Sequence, residues 1–197
     1  MQYKMILDTE TTGVEARFIY DIGFIIVNEK YEVIQKMHYV VKQTYDNREL
    51  FMTSYYGNKK PIYTQLLRRG KAKKEYLGRI TQKMAYLIRK YNITEIYAYN
   101  APFDKKAFEF TTKFYRVINP LENLQFVDIM KVANNLHKSK EYETFAKNNK
   151  MKTKTGRTKK TAETTYAFIT NNPDYKEQHM GLHDCEIELE ILKFVAM

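Results

Sequence analysis

"MILDTETTG" (residues 5–13) is an apolar run that stops at two carboxylates one residue apart and gives way to hydroxyls and a glycine. The period-2 geometry of an extended chain points Asp8 and Glu10 to the same side. Two like charges so placed need a positive partner, and a divalent cation is the usual one. Asp, Thr and Gly are also ordinary turn formers, so on this stretch alone a plain strand ending stands beside the metal reading.

Residues 3–7, 20–27 and 33–41 are rich in Ile, Val and Tyr, and "NEK" at 28–30 separates the last two as a tight turn would. Three neighbouring strands are expected. Residues 42–72 lose this pattern, and "YYGNKKP" with "TQLLRRGKAKKE" predicts a surface excursion carrying one short basic helix. Leu77, Ile80, Met84, Leu87, Ile88 and Tyr91 recur at helical spacing. "EIYAYN" (95–100) then reads as a short strand, and "PFDKKAFEFTTKFY" (102–115) as a helix opened by Pro, with Phe103, Ala107, Phe110 and Phe114 on one stripe. "LQFVD" (124–128) is a brief strand ahead of the apolar-periodic "IMKVANNL". "TAETTYAFI" predicts a capped helix, and "GLHDCEIELEILKFVA" a last one with Leu182, Cys185, Leu189, Leu192 and Val195 in a stripe. Alternating strands and helices imply an α/β fold, a mixed sheet flanked by helices, forming one domain over residues 1–197.

A hydrophobic fraction of 44% supports a packed core, and 33 Lys and Arg against 23 Asp and Glu leave a net charge of +10. That excess favours a polyanionic partner, nucleic acid or a membrane surface. No run approaches the ~18 apolar residues of a membrane span and no leader pattern opens the chain, so a soluble cytoplasmic protein is expected. The single cysteine, Cys185, excludes an internal disulfide and a Cys-based zinc cluster. The densest basic tract, "KNNKMKTKTGRTKK" (147–160), holds seven Lys or Arg in fourteen residues. Alternation about Gly156 predicts a basic β-hairpin whose Lys152, Lys154 and Arg157 would track a phosphate backbone; a solvated charge run is the other reading. Arg68, Arg69, Lys71, Lys73 and Lys74 form a second basic patch. Tyr55, Tyr56, Tyr97 and Tyr99 would stack bases unless they belong to the core.

Asp8 and Glu10, Asp104 after "IYAYNAPF", and Asp184 at the start of the last helix all lie where apolar segments end or helices begin. Such places assemble ligand sites in open α/β sheets. Four converging carboxylates would repel one another, and two Mg²⁺ or Mn²⁺ ions would offset the charge. His179, five residues before Asp184, falls in the loop ahead of that helix. An imidazole there suits removal of a proton from water; a loop histidine with no task is the alternative.

The ordered trio "DTET" (8–11), "NAPFD" (100–104) and "HMGLHD" (179–184) resembles the three exonuclease motifs of the DEDD superfamily. Its histidine branch, DEDDh, carries His-x4-Asp in the third motif and includes the proofreading subunit of bacterial DNA polymerase III and ribonuclease T. The tyrosine branch would have Tyr where this chain has Met180. The resemblance implies a ribonuclease H-like fold, two divalent ions on Asp8, Glu10, Asp104 and Asp184, and His179 as general base. It places Thr9, Thr11, Thr12, Gly13 and Asn100 beside the terminal nucleotide and implies 3′→5′ hydrolysis of DNA or RNA from a free 3′ end. The small chain suits a stand-alone phage or bacterial enzyme, with a polymerase or a replication or repair complex as a possible partner. Two positions depart from the motif pattern: Ala98-Tyr99-Asn100 replaces a common Gly-His-Asn, and Asp21 stands where a Glu is common. A non-cleaving nucleic-acid-binding protein, a recruiting partner of a nuclease complex and a phosphohydrolase of small nucleotides remain as rival readings. His183-Asp184 also matches the His-Asp pair of helical phosphohydrolases, against which the strand-rich N-terminal half argues.

Overall fold

The computed structural model describes residues 3–13, 17–52 and 57–196. Six strands form one mixed sheet: β1 (Lys4–Thr11), β2 (Ile19–Val27), β3 (Val33–Val41), β4 (Lys73–Glu75), β5 (Glu95–Ala98) and β6 (Gln125–Asp128). Their spatial order is β4-β3-β2-β1-β5-β6. The first three pair antiparallel, while β5 lies parallel to both β1 and β6, and β4 parallel to β3. Strand β2 is buried along its whole length, as a central strand covered on both faces should be.

Between β3 and β4 run α1 (Lys42–Tyr45), α2 (Arg48–Met52), a 3-10 turn (Gly57–Lys59) and α3 (Lys60–Arg68). Then follow α4 (Leu77–Lys90), α5 (Ala101–Phe114), α6 (Ile129–Val132), α7 (Asn134–His137), α8 (Lys140–Asn148), α9 (Ala162–Ile169) and α10 (Gly181–Ala196). Odd-numbered Met5 and Leu7 of β1 pack with Leu77, Ile80 and Met84 of α4 and Ala107 and Phe108 of α5. Even-numbered Ile6 packs on the other face with Cys185, Leu189 and Leu192 of α10. Asp8 and Glu10 continue that even-numbered side and therefore face α10.

Four sequence expectations are modified. Strand β1 runs on through Thr11, so Asp8 and Glu10 lie within the strand and not past its end; the pairing Glu10 with Asp21 of β2 keeps it extended. The buried stripe of α5 is Ala101, Asp104, Ala107, Phe108, Thr111 and Thr112. Phe110 and Phe114 are exposed and pack edge-on against Phe18 at 5.1 and 4.7 Å between ring centres. The excursion over 42–72 is packed: Tyr20, Val40, Tyr45, Phe51 and Tyr63 form a buried cluster of their own. The basic hairpin is smaller than expected. Capped by Ser139, whose hydroxyl accepts from Tyr142 N, α8 runs on through Asn148 and absorbs the start of the tract. What remains is one antiparallel bridge, Lys152 with Thr158, closed by Thr153 N–H donating to Arg157 O at 2.8 Å and turning at Gly156 with φ +82°. Tyr55 and Tyr56 lie outside the described residues. No helix among the described residues is long and apolar enough to cross a membrane.

One close approach sets the site. A β-carbon on Gly23 of β2 would stand 2.0 Å from Gly181 C and 2.1 Å from Leu182 N, and one on Gly181 would stand 2.6 Å from Gly23 N and 3.1 Å from Asp8 O. The N-terminus of α10 thus rests directly on the backbone of the sheet. All the obstructing atoms are main chain, so Gly23→Ala should push α10 away and destabilise the fold at or above the upper end of about 1–3 kcal/mol. Thermal unfolding measures this, and an unchanged Tm would contradict the approach.

Candidate active site

The seat of α10 on β2 brings its first turn beside the even-numbered face of β1. Glu10, His179 and Asp184 each offer a ligand atom, all within 4.8 Å of one another. Asp104 enters from the start of α5. Its Oδ1 accepts from Thr9 N at 3.0 Å and from Thr9 Oγ1 at 2.8 Å. Asn100 makes that entry possible: at φ +61° it turns the chain sharply between β5 and α5, its N–H held by Asp128 Oδ1 at 3.0 Å. Asp184 is fixed by Met180 N–H, which donates to its Oδ2 at 2.7 Å, and His183 Nδ1 lies 3.4 Å from the other oxygen.

The carboxylates crowd one another. Burial first, then Asp104, Glu188, Asp184 and Glu10, raise the Asp8 pKa well above its ordinary value. Burial and Asp184 do the same to Glu10, opposed by Lys59. Asp104 is pushed up to about 7 by burial, against the lowering effect of its bonds from Thr9. Burial, with the Lys59 charge behind it, holds His179 below its ordinary value of 6.5 despite the pull of Asp184. Its Nδ1 lies 3.7 Å from Glu177 Oε2.

Three contributors were missed by the sequence reading. Glu188 is 2% exposed, accepts from Tyr99 N through Oε1 at 3.0 Å and raises the pKa of Asp8. It stands four residues after Asp184 on α10, and that spacing on one helix face was the available signal. Glu177, whose pKa burial and Asp184 raise to about 7, comes from a loop and Lys59 from a short 3-10 turn, neither with such periodicity.

Asp8 Oδ2 and Glu188 Oε2 are buried without a hydrogen-bond partner among the described residues. Unpartnered oxygens of crowded carboxylates fit a hard divalent cation such as Mg²⁺ or Mn²⁺.

The remaining expected residues divide. Thr9, Thr11 and Thr12 are buried; the Thr9 hydroxyl is turned to Asp104, and that of Thr11 to Gly13 O at 3.0 Å. The hydroxyls of Thr9 and Thr11 thus each have a partner within the chain. Asn100 is exposed and lines a cleft of about 370 Å³ with Asp8, Tyr99, Met130, Lys160, Glu177 and Glu188. Lys152, Lys154 and Arg157 are exposed on the bridged loop and do not line it. Its foot is tied to the site, since Tyr99 OH donates to Lys160 O at 2.6 Å and lies 2.9 Å from Thr165 Oγ1. Asp21, fully buried, accepts from His38, Tyr63 and Gly181; it pairs with Glu10 across the sheet and its charge adds to the rise of the Glu10 pKa. A larger groove of about 540 Å³ beside Tyr31, Tyr166 and Phe194 holds none of the convergent carboxylates.

No protein-family model matches the chain, and no curated protein matches it by sequence. Solved structures do match. The nuclease domain of 3′hExo, a DEDDh family member bound to rAMP, superposes with a TM-score of 0.64 at 14% identity, covering 99% of this chain and 92% of that one. Apo exonuclease I gives 0.62 at 17% identity over 98% of this chain and 42% of its own. Exonuclease I of E. coli in complex with a dA16 oligonucleotide gives 0.60 at 15%, with 99% and 41% covered. This chain therefore spans about two fifths of the exonuclease I chains it matches and nearly all of the 3′hExo domain. At these identities the likeness is one of fold, and the chain has the ribonuclease H-like architecture of those exonucleases, a six-stranded mixed sheet between layers of helices.

Proposed function

We propose that this protein is a divalent-cation-dependent 3′→5′ exonuclease that hydrolyses terminal phosphodiester bonds of DNA or RNA and releases nucleoside 5′-monophosphates. The observation that carries the reading is the meeting of Glu10, His179 and Asp184 within 4.8 Å, beside an Asp8 with a buried, unpartnered oxygen. The fold neighbours bound to an oligonucleotide and to rAMP support a nucleic acid substrate and a nucleoside monophosphate product.

Asp8, Glu10, Asp104 and Asp184 would hold two ions, Mg²⁺ or Mn²⁺, with Glu188 adjoining. Bound there, such ions supply Lewis acidity toward the attacking water and the phosphoryl oxygens, and balance charge on the departing 3′-oxygen. The chain's own groups provide orientation and proton transfer. Held below the ordinary imidazole range, His179 is neutral near pH 7 and takes the proton of the attacking water on a ring nitrogen. The two bonds from Thr9 fix Asp104, and the Met180 N–H fixes Asp184. Asn100 and Gly13 border the place of the terminal nucleotide, while Thr11 and Thr12 support it from below. Lys152, Lys154 and Arg157 follow the phosphates farther along the strand, without sequence preference and more weakly as salt rises.

Purified protein incubated with 5′-labelled and 3′-labelled single-stranded and duplex DNA and RNA, in Mg²⁺, in Mn²⁺ and in chelator, should shorten its substrate from the 3′ end only when the cation is present. Binding without shortening would identify a non-cleaving nucleic-acid-binding protein on the same fold. Internal cuts would identify an endonuclease.

A further inference from the structure

The excursion between β3 and β4 reaches across the molecule to the segment that carries His179. Lys59 closes the 3-10 turn with its side chain half buried. Its ammonium donates to the carbonyls of Gln178 and His179, the latter at 2.9 Å. Two residues farther on, Gly181 N–H donates to Asp21 Oδ2 at 3.0 Å, and the same oxygen accepts the hydroxyl of Tyr63 from α3 at 2.7 Å. His38 Nε2 holds the other Asp21 oxygen at 2.8 Å. Residues 178–181 are thus gripped at two points, directly by Lys59 and through Asp21 by Tyr63. Between the two, His179 has φ +50°, the left-handed region that a residue with a β-carbon keeps only when its surroundings enforce it. The ammonium also stands among negative groups, its Coulomb partners being Glu10, Asp184, Asp21 and Glu177. It joins the strand that carries Glu10 to the loop that carries His179 by charge as well as by hydrogen bonds.

We infer that Lys59 and Tyr63 are positioning residues: they clamp the 178–181 segment in the backbone form that turns the His179 imidazole toward Glu10 and Asp184. The kinetic consequence rests on the exonuclease reading; the clamp itself does not.

Lys59→Met keeps most of the stem and removes the charge and all three donors. Amide hydrogen exchange across residues 177–184 should become about tenfold faster or more, with the rest of the chain unchanged, because local opening loses its restraint. On nucleic acid, kcat should fall about tenfold or more while KM stays within about threefold, as expected when orientation and not binding is lost. Lys59→Arg, which keeps a donor at that place, should restore most of both. Tyr63→Phe should speed exchange at the start of α10 while the chain stays folded. Unchanged exchange over 177–184 in both Lys59→Met and Tyr63→Phe would overturn the clamp. A raised KM at constant kcat would overturn the positioning role and make Lys59 a substrate contact. If the wild-type protein leaves nucleic acid intact, the exonuclease reading fails, and the exchange measurements still decide the clamp.

Discussion

Asp8→Asn should lower turnover about 10³-fold and yet make the cation-free protein more stable. Burial, then Asp104 and the other carboxylates, raise the Asp8 pKa in the folded chain above its ordinary 3.8. A carboxylate with a raised folded pKa costs stability while ionised; the cost is fully present above the folded value and vanishes as pH falls toward the unfolded one. At neutral pH in chelator, the amide removes that cost and offers donors to the neighbouring carboxylates, so Tm should rise. Adding Mn²⁺ should reverse the ranking. A ligand that binds only the folded state stabilises by about 2.7 kcal/mol at 100 times its Kd, which for a chain of this size raises Tm by about 5–10 °C. The wild type should show that rise and Asp8→Asn should lose most of it. The Lewis acidity withdrawn with the ion is worth several kcal/mol, and at about 1.4 kcal/mol per tenfold kcat should drop about 10³-fold. Differential scanning calorimetry with and without Mn²⁺ reads the first effects and single-turnover degradation the last. Retention of the Mn²⁺ shift in Asp8→Asn would remove Asp8 from the cation site.

The sheet and the flanking helices were legible because their apolar periods are clean: β2 is apolar almost throughout, and α4 and α10 carry stripes at helical spacing. Asp8, Glu10 and Asp104 were legible because each lies where a run of apolar residues gives out, and Asp184 because it opens the last helix; the structure brings the four near one another. Glu188 lay hidden in plain sequence, since a Glu on a final helix also reads as a solvated side chain, and only the packing of α10 on β2 turns it inward. Lys59 and Tyr63 were beyond reach for another reason. Their partners are 119 and 42 residues away in the chain, and contacts of that kind depend on how an aperiodic segment folds back. The α5 stripe was misplaced because aromatics outweighed small residues in the reading. The buried face packs Ala107 with Met5 and Leu7 of β1 and ties the Thr111 hydroxyl to Ile19 N and Arg17 O at the start of β2, so the phenylalanines at 110 and 114 are left outside.

His179→Ala separates two tasks that the geometry alone allows. A ring nitrogen of His179 lies within 4.8 Å of carboxylate oxygens of Glu10 and Asp184, close enough to share an ion with them, so it has the position of a cation ligand as well as of a base. As a base it matters to turnover and little to ion or substrate affinity. The variant should then keep the Mn²⁺-dependent rise in Tm and keep KM within about threefold, while kcat falls about 10²–10⁴-fold, the usual range for a positioned proton acceptor. The pH profile adds an independent reading. Because burial and Lys59 hold the imidazole below 6.5, its own share of the wild-type pH profile, measured at saturating Mn²⁺ so that the carboxylates stay ionised, is a decline on the acid side of that value, where the ring takes up a proton and can no longer accept one. His179→Ala should lack that acid limb. A variant that loses the Mn²⁺ shift together with activity would make His179 a ligand. Equal losses in kcat/KM and kcat with the ion still bound would leave it the base, because the interaction removed is then one made only in the transition state.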